Sequence, residues 1–369
     1  MVEPSGRRAV AGVMAVEYSK RLGHITPAQF QAALNRFDLG TFVRAEAVVG
    51  GLFGQNVFVT STSGTFVLRG VPHYDWQLPT ERFFARVLHE RTSAPVPWPY
   101  LLDPAEDIFG WSYALMPRMP GLNLSDPAVT ATLSPADRLA IARAVGENLV
   151  LMHQLTWPAA GRYDAMLDTV VPLRDGFAGW VVGDVRDWLA QAQRHSARTT
   201  EADVAWVEEV LQGALPALRQ PFQPCFVMND YKEQNTVVTH AGTGWQVTGV
   251  FDLMEGFFGD GEMDLARPVS GYLEEEPLLA QAFLATYLDR APARPGLSER
   301  FAVDMLRDRL IVWEYFQRPE VARGTSSHGL RLKPPWDPDV TLRECAEPYI
   351  AEAGALIAMH GSGASSSEA

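Results

Sequence analysis

The sequence predicts an α+β fold in two lobes, a small antiparallel β-sheet followed by a larger, mainly helical region. Three observations predict it. Residues 43–70 alternate short apolar runs with glycine turns, as hairpin-connected strands do. From residue 135 onward, apolar residues recur at helical spacing through several long segments. Between these regions lies Ala94-Pro95-Val96-Pro97-Trp98-Pro99, a stiff extended connector because each residue before a proline is pushed out of the helical region. With 369 residues and 47% hydrophobic content, the chain has material for one large domain or for two lobes with well-formed cores.

Composition narrows the function classes. A formal net charge of −13 argues against a nucleic-acid groove or an anionic membrane surface as partner. It attracts a cationic small molecule, or serves only as an acidic surface that keeps the chain soluble. Two cysteines, Cys225 and Cys345, make neither a disulfide framework nor a metal cluster, so a cytoplasmic, reducing compartment is expected. Arg7 and Arg8 precede an apolar run at 9–16, but Glu17 and Lys20 close it too early for an export signal. No run of about 18 apolar residues occurs, and no membrane span is expected.

Taken in order, residues 1–25 carry little pattern. Thr26 then offers a helix cap and Pro27 a first-turn proline, and Phe30, Leu34 and Phe37 repeat at helical spacing, predicting a helix over 27–37. Residues 1–40 therefore read as an extension with one amphipathic helix. Residues 41–118 form the first lobe, with a three-stranded antiparallel sheet at 45–49, 57–60 and 65–68. The glycine-rich turn between the first two strands brings Gly51, Gly54 and Asn56 forward as candidates to bind a phosphate-bearing cofactor through closely approaching backbone N–H groups. A plain turn is the alternative. A helix starts near Pro79-Thr80 and carries Phe83, Phe84, Val87 and Leu88, and a strand at 111–116 runs into a break at 117–121. The second lobe, 119–360, opens with a helix over 135–155 capped by Ser134. It ends in His153, read as a packed, hydrogen-bonded histidine. Further helices are predicted at 180–190, 201–218, 268–288 and 298–316, with a loop at 318–338 and a flexible Gly/Ser tail at 361–369.

The chemistry concentrates in residues 226–266. Asp230 and Asn235 sit on a short polar loop, and Asp252 ends an apolar strand. Strands at 236–239 and 245–251 around the turn 241–244 form a hairpin that brings Asn235 beside Asp252. A carboxylate and an amide carbonyl suit Mg2+, which leaves its remaining positions to water and phosphate oxygens. Asp230 stays free to face a substrate hydroxyl, which is the layout of phosphoryl transfer.

Asp230-x4-Asn235, the Asp252 that closes a strand, Gly259-Asp260 and Asp264-Leu265-Ala266 together resemble the aminoglycoside phosphotransferase family of small-molecule kinases. The resemblance spans roughly residues 44–290. It implies a two-lobed protein-kinase-like fold, a nucleotide-binding first lobe, a catalytic and substrate-binding second lobe, and transfer of the γ-phosphoryl group of ATP or GTP, with Mg2+, to a small-molecule hydroxyl. Asp230 would then be the catalytic carboxylate and Asn235 and Asp252 the metal ligands. Arg69 would pair phosphate where the family has lysine, with Glu81, or failing that Glu90, as its partner; Phe84 occupies the family's usual glutamate position. Backbone groups of Leu115, Met116 and Arg118 would meet the base. Glu274, Glu275 and Glu276 lie where the family recruits substrate-binding residues, unless they are a solvated face.

The departures are local. His-Gly-Asp-x-His is replaced by Met228-Asn229-Asp230-Tyr231-Lys232, and Asp-Trp-Glu by Asp252-Leu253-Met254. Lys232 would approach the transferred phosphoryl group as a second catalytic residue, or remain a solvated loop lysine. Asp264 would brace the loop through buried backbone, and Asp260 would cap the following helix. Acceptors in the family include aminoglycosides, macrolides, choline, homoserine and sugars. An antibiotic-like acceptor, an endogenous sugar or amino-alcohol, and a nucleotide-binding protein that has lost catalysis are thus the competing readings.

Overall fold

The computed structural model describes residues 15–48, 54–242, 244–291, 294–322, 336–337 and 339–365. Two compact units are present, one made of the chain up to 73 with 99–118, the other of 74–98 with everything from 119.

The first unit is an antiparallel sheet with a helix. Strands β1 (Val16–Ser19) and β2 (Gly23–Ile25) form a hairpin in a stretch whose sequence gives no strand signal. Helix α1 (Pro27–Arg36) starts where the cap signal puts it: Thr26 Oγ1 accepts from Gln29 N, and the Gln29 side chain answers the Thr26 N–H. Strands β3 (Phe42–Ala47), β4 (Asn56–Ser61), β5 (Gly64–Gly70), β6 (Leu101–Asp103) and β7 (Tyr113–Pro117) pair in the order β3-β4-β5-β7-β6. The sheet thus has two more strands than the glycine punctuation predicts. Val57 and Val59 of β4 alternate inward with Leu68 and Leu115 against Phe30 and Leu34 of α1, the period-two burial of a half-covered sheet.

The second unit opens with α2 (Gln77–Arg91). Strand β8 (Leu122–Asn123) and the short helix α3 (Pro127–Thr130) lead to α4 (Pro135–His153), capped reciprocally by Ser134 and Asp137. A hairpin of β9 (Gly161–Asp164) and β10 (Thr169–Pro172) precedes α5 (Gly176–His195) and α6 (Glu201–Leu218). Strand β11 (Cys225–Val227) feeds the loop of interest. The hairpin β12 (Thr236–Ala241) and β13 (Gly244–Val250) follows, then β14 (Phe257–Gly259), which pairs with β11.

The expected helix over 268–288 is two helices, α7 (Ala266–Glu275) and α8 (Pro277–Leu288). Pro277 forces Glu276 into an extended conformation, φ −158° and ψ 120°. Helix α9 (Leu297–Gln317) is followed by α10 (Pro319–Ala322) inside the expected loop. Helix α11 (Leu342–Ser365), missing from the sequence expectations although Leu342, Ala346, Ile350, Ala353 and Ile357 recur at helical spacing, runs into the Gly/Ser segment expected to be a tail. The core joins Val181 and Val185 of α5, Val207 and Leu211 of α6, Leu306 and Trp313 of α9, and Leu342 and Ala346 of α11. Among the described residues no helix is long and apolar enough to cross a membrane.

Candidate active site

The loop between β11 and β12 is fixed before any of its functional side chains is considered. Phe226 of β11 is wholly buried, its ring 4.9 Å from that of Phe84. Asp264 accepts from the backbone of Met228 at 2.7 Å and of Asn229 at 2.8 Å. Its Oδ2 also lies 3.4 Å from Nε2 of His153, whose Nδ1 is 2.9 Å from the Tyr287 hydroxyl. Tyr231, fully buried, donates to the Val145 carbonyl of α4 at 2.8 Å and accepts from Asn148 at 2.9 Å. A carboxylate beneath the loop and a tyrosine plugged into α4 leave its backbone few alternatives.

On that loop Asp230 is the point of convergence. Lys232 Nζ donates to its Oδ2 at 2.6 Å, Asn235 Nδ2 to the same oxygen at 3.1 Å, and Arg267 Nε to Oδ1 at 3.2 Å. Asn235 Nδ2 also donates to the Asp230 carbonyl at 2.9 Å, so its side-chain oxygen is the atom left to ligate. The hairpin places this amide: Thr236 is in register with Val250, and Phe251 N donates to Asn235 O at 3.1 Å.

Asp252 follows directly, in the left-handed region at φ 74°. Glu81 of α2, buried, accepts from Asp252 N at 3.1 Å and Leu253 N at 3.3 Å. Three residues on, Glu255 has its carboxyl pushed up by burial, opposed by Arg162 and reinforced by Asp252 and Asp230. Negative charge gathers where Asn235 and Asp252 could hold a divalent cation. Among the described residues no cluster of three or more carboxylate, imidazole or thiolate side chains has the geometry of a complete metal site. An ion there would complete its shell with water or phosphate.

Arg267 continues the network away from the loop. Its Nη1 donates to Asp308 Oδ1 at 3.1 Å, and Arg309 donates to Asp308 Oδ2 at 2.8 Å. Burial works to raise the Asp308 carboxyl, but Arg309 and Arg267 outweigh it and hold it at about 2. Beside these groups is a cavity of about 400 Å³ lined by Lys232, Arg267, Tyr272, Glu274, Glu275 and Arg309, among others. Glu274 accepts from Arg309 at 2.8 Å and from the Tyr349 hydroxyl at 3.1 Å. Glu275 pairs with Arg138, which also reaches Glu233 at 3.0 Å. Glu276, exposed at the helix break, is absent from the lining.

The other expected residues belong to the first unit, apart from Glu81. Gly51 lies outside the described residues. Gly54 has φ 58°, and its carbonyl accepts from Ser19 Oγ at 2.5 Å. Asn56 stands opposite Arg69 across β4 and β5, and its buried Oδ1 has no hydrogen-bond partner among the described residues, an acceptor that suits a donor from a bound molecule. Leu115 lies between Leu68 and Leu101, whereas Met116, in register with Val67, lies past the end of β6. Arg118 N donates to Thr65 O at 3.0 Å, and its guanidinium is 3.8 Å from the Phe58 ring centre.

Sequence reasoning missed Arg267, Glu255, Asp308 and Arg307. Arg267 had a signal, standing one residue past Asp264-Leu265-Ala266. So did α9, whose Arg300, Arg307 and Arg309 interleave with Asp304 and Asp308 at buried positions.

The fold is shared with solved structures. A candidate aminoglycoside phosphotransferase of Ralstonia eutropha JMP134 superposes with TM-score 0.59 at 17% identity, over 89% of this chain and 97% of that one. A candidate fructosamine-3-kinase of Thermobifida fusca YX-ER1 gives 0.56 at 16%, over 88% and 97%. A thermostable mutant of the aminoglycoside phosphotransferase APH(4)-Ia, in ternary complex with ADP and hygromycin B, gives 0.58 at 16%, over 87% and 97%. No curated protein matches the sequence. The model of the phosphotransferase enzyme family matches residues 44–299, which take in the sheet, the loop of Asp230 and the Asp252 turn, and the chain belongs to that family.

Proposed function

We propose that the chain transfers the γ-phosphoryl group of ATP or GTP, with Mg2+, to a hydroxyl of a small molecule. The observation that carries this reading is the convergence of Lys232, Asn235 and Arg267 on Asp230, with Lys232 and Arg267 also lining a cavity. An ionised carboxylate offers about four lone-pair sites, and three are engaged here. The remaining site on Oδ1 orients the acceptor hydroxyl and takes its proton as the oxygen attacks phosphorus. The bond from phosphorus to the bridging oxygen breaks and the nucleoside diphosphate departs. Lys232 and Arg267 keep Asp230 in place and set positive charge near the transferred oxygens. The Asn235 side-chain oxygen and Asp252 would hold Mg2+, which supplies charge neutralisation on the phosphates. Asn56 and Arg69 are the polar groups of the first unit offered to the nucleotide.

For the acceptor, an aminoglycoside-like antibiotic is one candidate and a sugar or amino-alcohol the other. One observation favours the second. Glu274 and Glu275 are already matched by Arg309 and Arg138, so the cavity wall offers alternating donors and acceptors suited to hydroxyls more than to several ammonium groups. Retention of Asp230, Asn235 and Asp252 opposes a catalytically inactive nucleotide binder. The test is release of ADP or GDP from the Mg-nucleotide against a panel of hydroxyl compounds, comparing wild type with Asp230→Ala. Turnover confined to the wild type is expected. Nucleotide binding without turnover of any acceptor would sink the enzyme reading, and turnover that survives Asp230→Ala would remove the role given to that carboxylate.

A further inference from the structure

We infer that Arg307 is a positioning residue for Asp230, acting through Asn229; this rests on the reading of Asp230 given above. Asn229 directly precedes Asp230 and sits at φ 67°, in a left-handed region that asparagine enters more readily than most non-glycine residues and that the surroundings here over-determine. Two grips do so. The Asn229 N–H is held by Asp264 Oδ1 at 2.8 Å, and its side-chain oxygen accepts from Arg307 Nη1 at 2.8 Å. Arg307 is itself immobilised: Nε donates to Asp184 Oδ2 at 2.6 Å, its guanidinium lies 5.5 Å from the Trp180 ring centre, and it is 6% exposed.

Helices α5 and α9 thus hold the residue whose backbone angle aims the Asp230 side chain. Arginine suits the task because its planar fork serves two acceptors at once in a fixed geometry. Met228, wholly buried and directly before Asn229 in the chain, has a thioether that cannot donate. Arg307 therefore adds a side-chain grip on Asn229 to the support that Asp264 gives the loop backbone.

The test is a double-mutant cycle on initial rates of nucleoside diphosphate release from Mg-ATP or Mg-GTP, with the acceptor panel and with water alone. Asn229→Ala keeps the strained angle, loses the handle and leaves the Arg307–Asp184 pair intact. It should lower kcat about tenfold or more with nucleotide KM within about twofold, the pattern of an interaction needed only in the reacting complex. Arg307→Met should lower kcat similarly, and the double variant should be no worse than either single one. Asn229→Gly, which relaxes the angle requirement, should recover part of the Asn229→Ala loss.

Should Arg307→Met fail to fold, the Asn229→Ala and Asn229→Gly pair decides alone. Wild-type rates in Asn229→Ala, equal losses in the alanine and glycine variants, or losses that multiply in the double variant would each overturn the inference. A wild type without turnover overturns the proposed function and takes this inference with it.

Discussion

Glu81 holds the backbone of Asp252: its Oε1 lies 3.1 Å from Asp252 N and 3.3 Å from Leu253 N. A buried carboxylate on α2 thereby fixes the left-handed turn that carries the second proposed metal ligand. Glu81→Ala removes the acceptor from two buried amides and should weaken Mg-ADP binding about tenfold or more, the usual scale for losing support behind a ligand. Glu81→Gln keeps one acceptor oxygen and should retain most of the affinity. Titration calorimetry reads both, and unchanged affinity in the alanine variant would detach Glu81 from the metal ligand.

Arg267 joins Asp230 to Asp308. Arg267→Met should leave nucleotide binding intact while lowering the rate of diphosphate release about tenfold or more, because a charge-assisted anchor on the reacting carboxylate is gone. Steady-state rates beside a binding isotherm separate the two effects. Equal loss of both would mean that Arg267 serves general stability.

Asp308 gives a pH signature. Its carboxyl is held at about 2, below the 3.8 of the ordinary group. A folded pKa below the unfolded one contributes stability that is fully present above about pH 4 and is lost as pH falls toward about 2. That contribution is about 2 kcal/mol at neutral pH. Asp308→Asn leaves Arg267 and Arg309 short of a buried counter-charge and should destabilise by about 3 kcal/mol or more near pH 7. The gap from wild type should narrow on acidification below about pH 4. Urea denaturation across pH measures it, and a gap that stays constant or widens in acid would contradict the assignment.

Gly256 is a packing requirement. A Cβ there would stand 2.6 Å from the Phe226 ring and 3.0 Å from the Leu253 carbonyl oxygen. The φ of −63° is open to any residue, so the penalty is purely steric. Gly256→Ala should cost about 1–3 kcal/mol by overpacking and displace the strand that delivers the Asp230 loop. Denaturation midpoints and diphosphate release should fall together; a drop in neither would show that the site relaxes freely.

Legibility in the sequence followed the range of the interactions. Thr26-Pro27 with Gln29, and Ser134-Pro135 with Asp137, mark their helix starts because each cap closes within one turn. The β12–β13 hairpin was readable from its glycine turn, and with it the approach of Asn235 to the Asp252 strand end. Pro277, directly after Glu274-Glu275-Glu276, also carries a stop signal for the helix before it. For pairings set by helix packing, the charged residues of α7 and α9 are visible in the sequence but their partners are not. The partners of Asp230 in α7 and of Asn229 in α9 depend on registers that appear only once the second unit is assembled. Helix α11 was masked by Pro348 in its interior, a residue that reads as a helix break, and by the Gly/Ser composition of its last turn.

The burial of Cys225 and Cys345 bears on how the molecule can be watched. Both thiols are free and buried, and burial pushes Cys345 up to about 12 and Cys225 higher still. Neither forms a thiolate near neutral pH, and only thiolates react. Both lie in the second unit, and the sequence has two cysteines in all. A thiol-specific dye added to the unmodified protein therefore times the opening of the second unit alone, and acceleration or slowing by Mg-nucleotide would reveal whether ligand grips that unit.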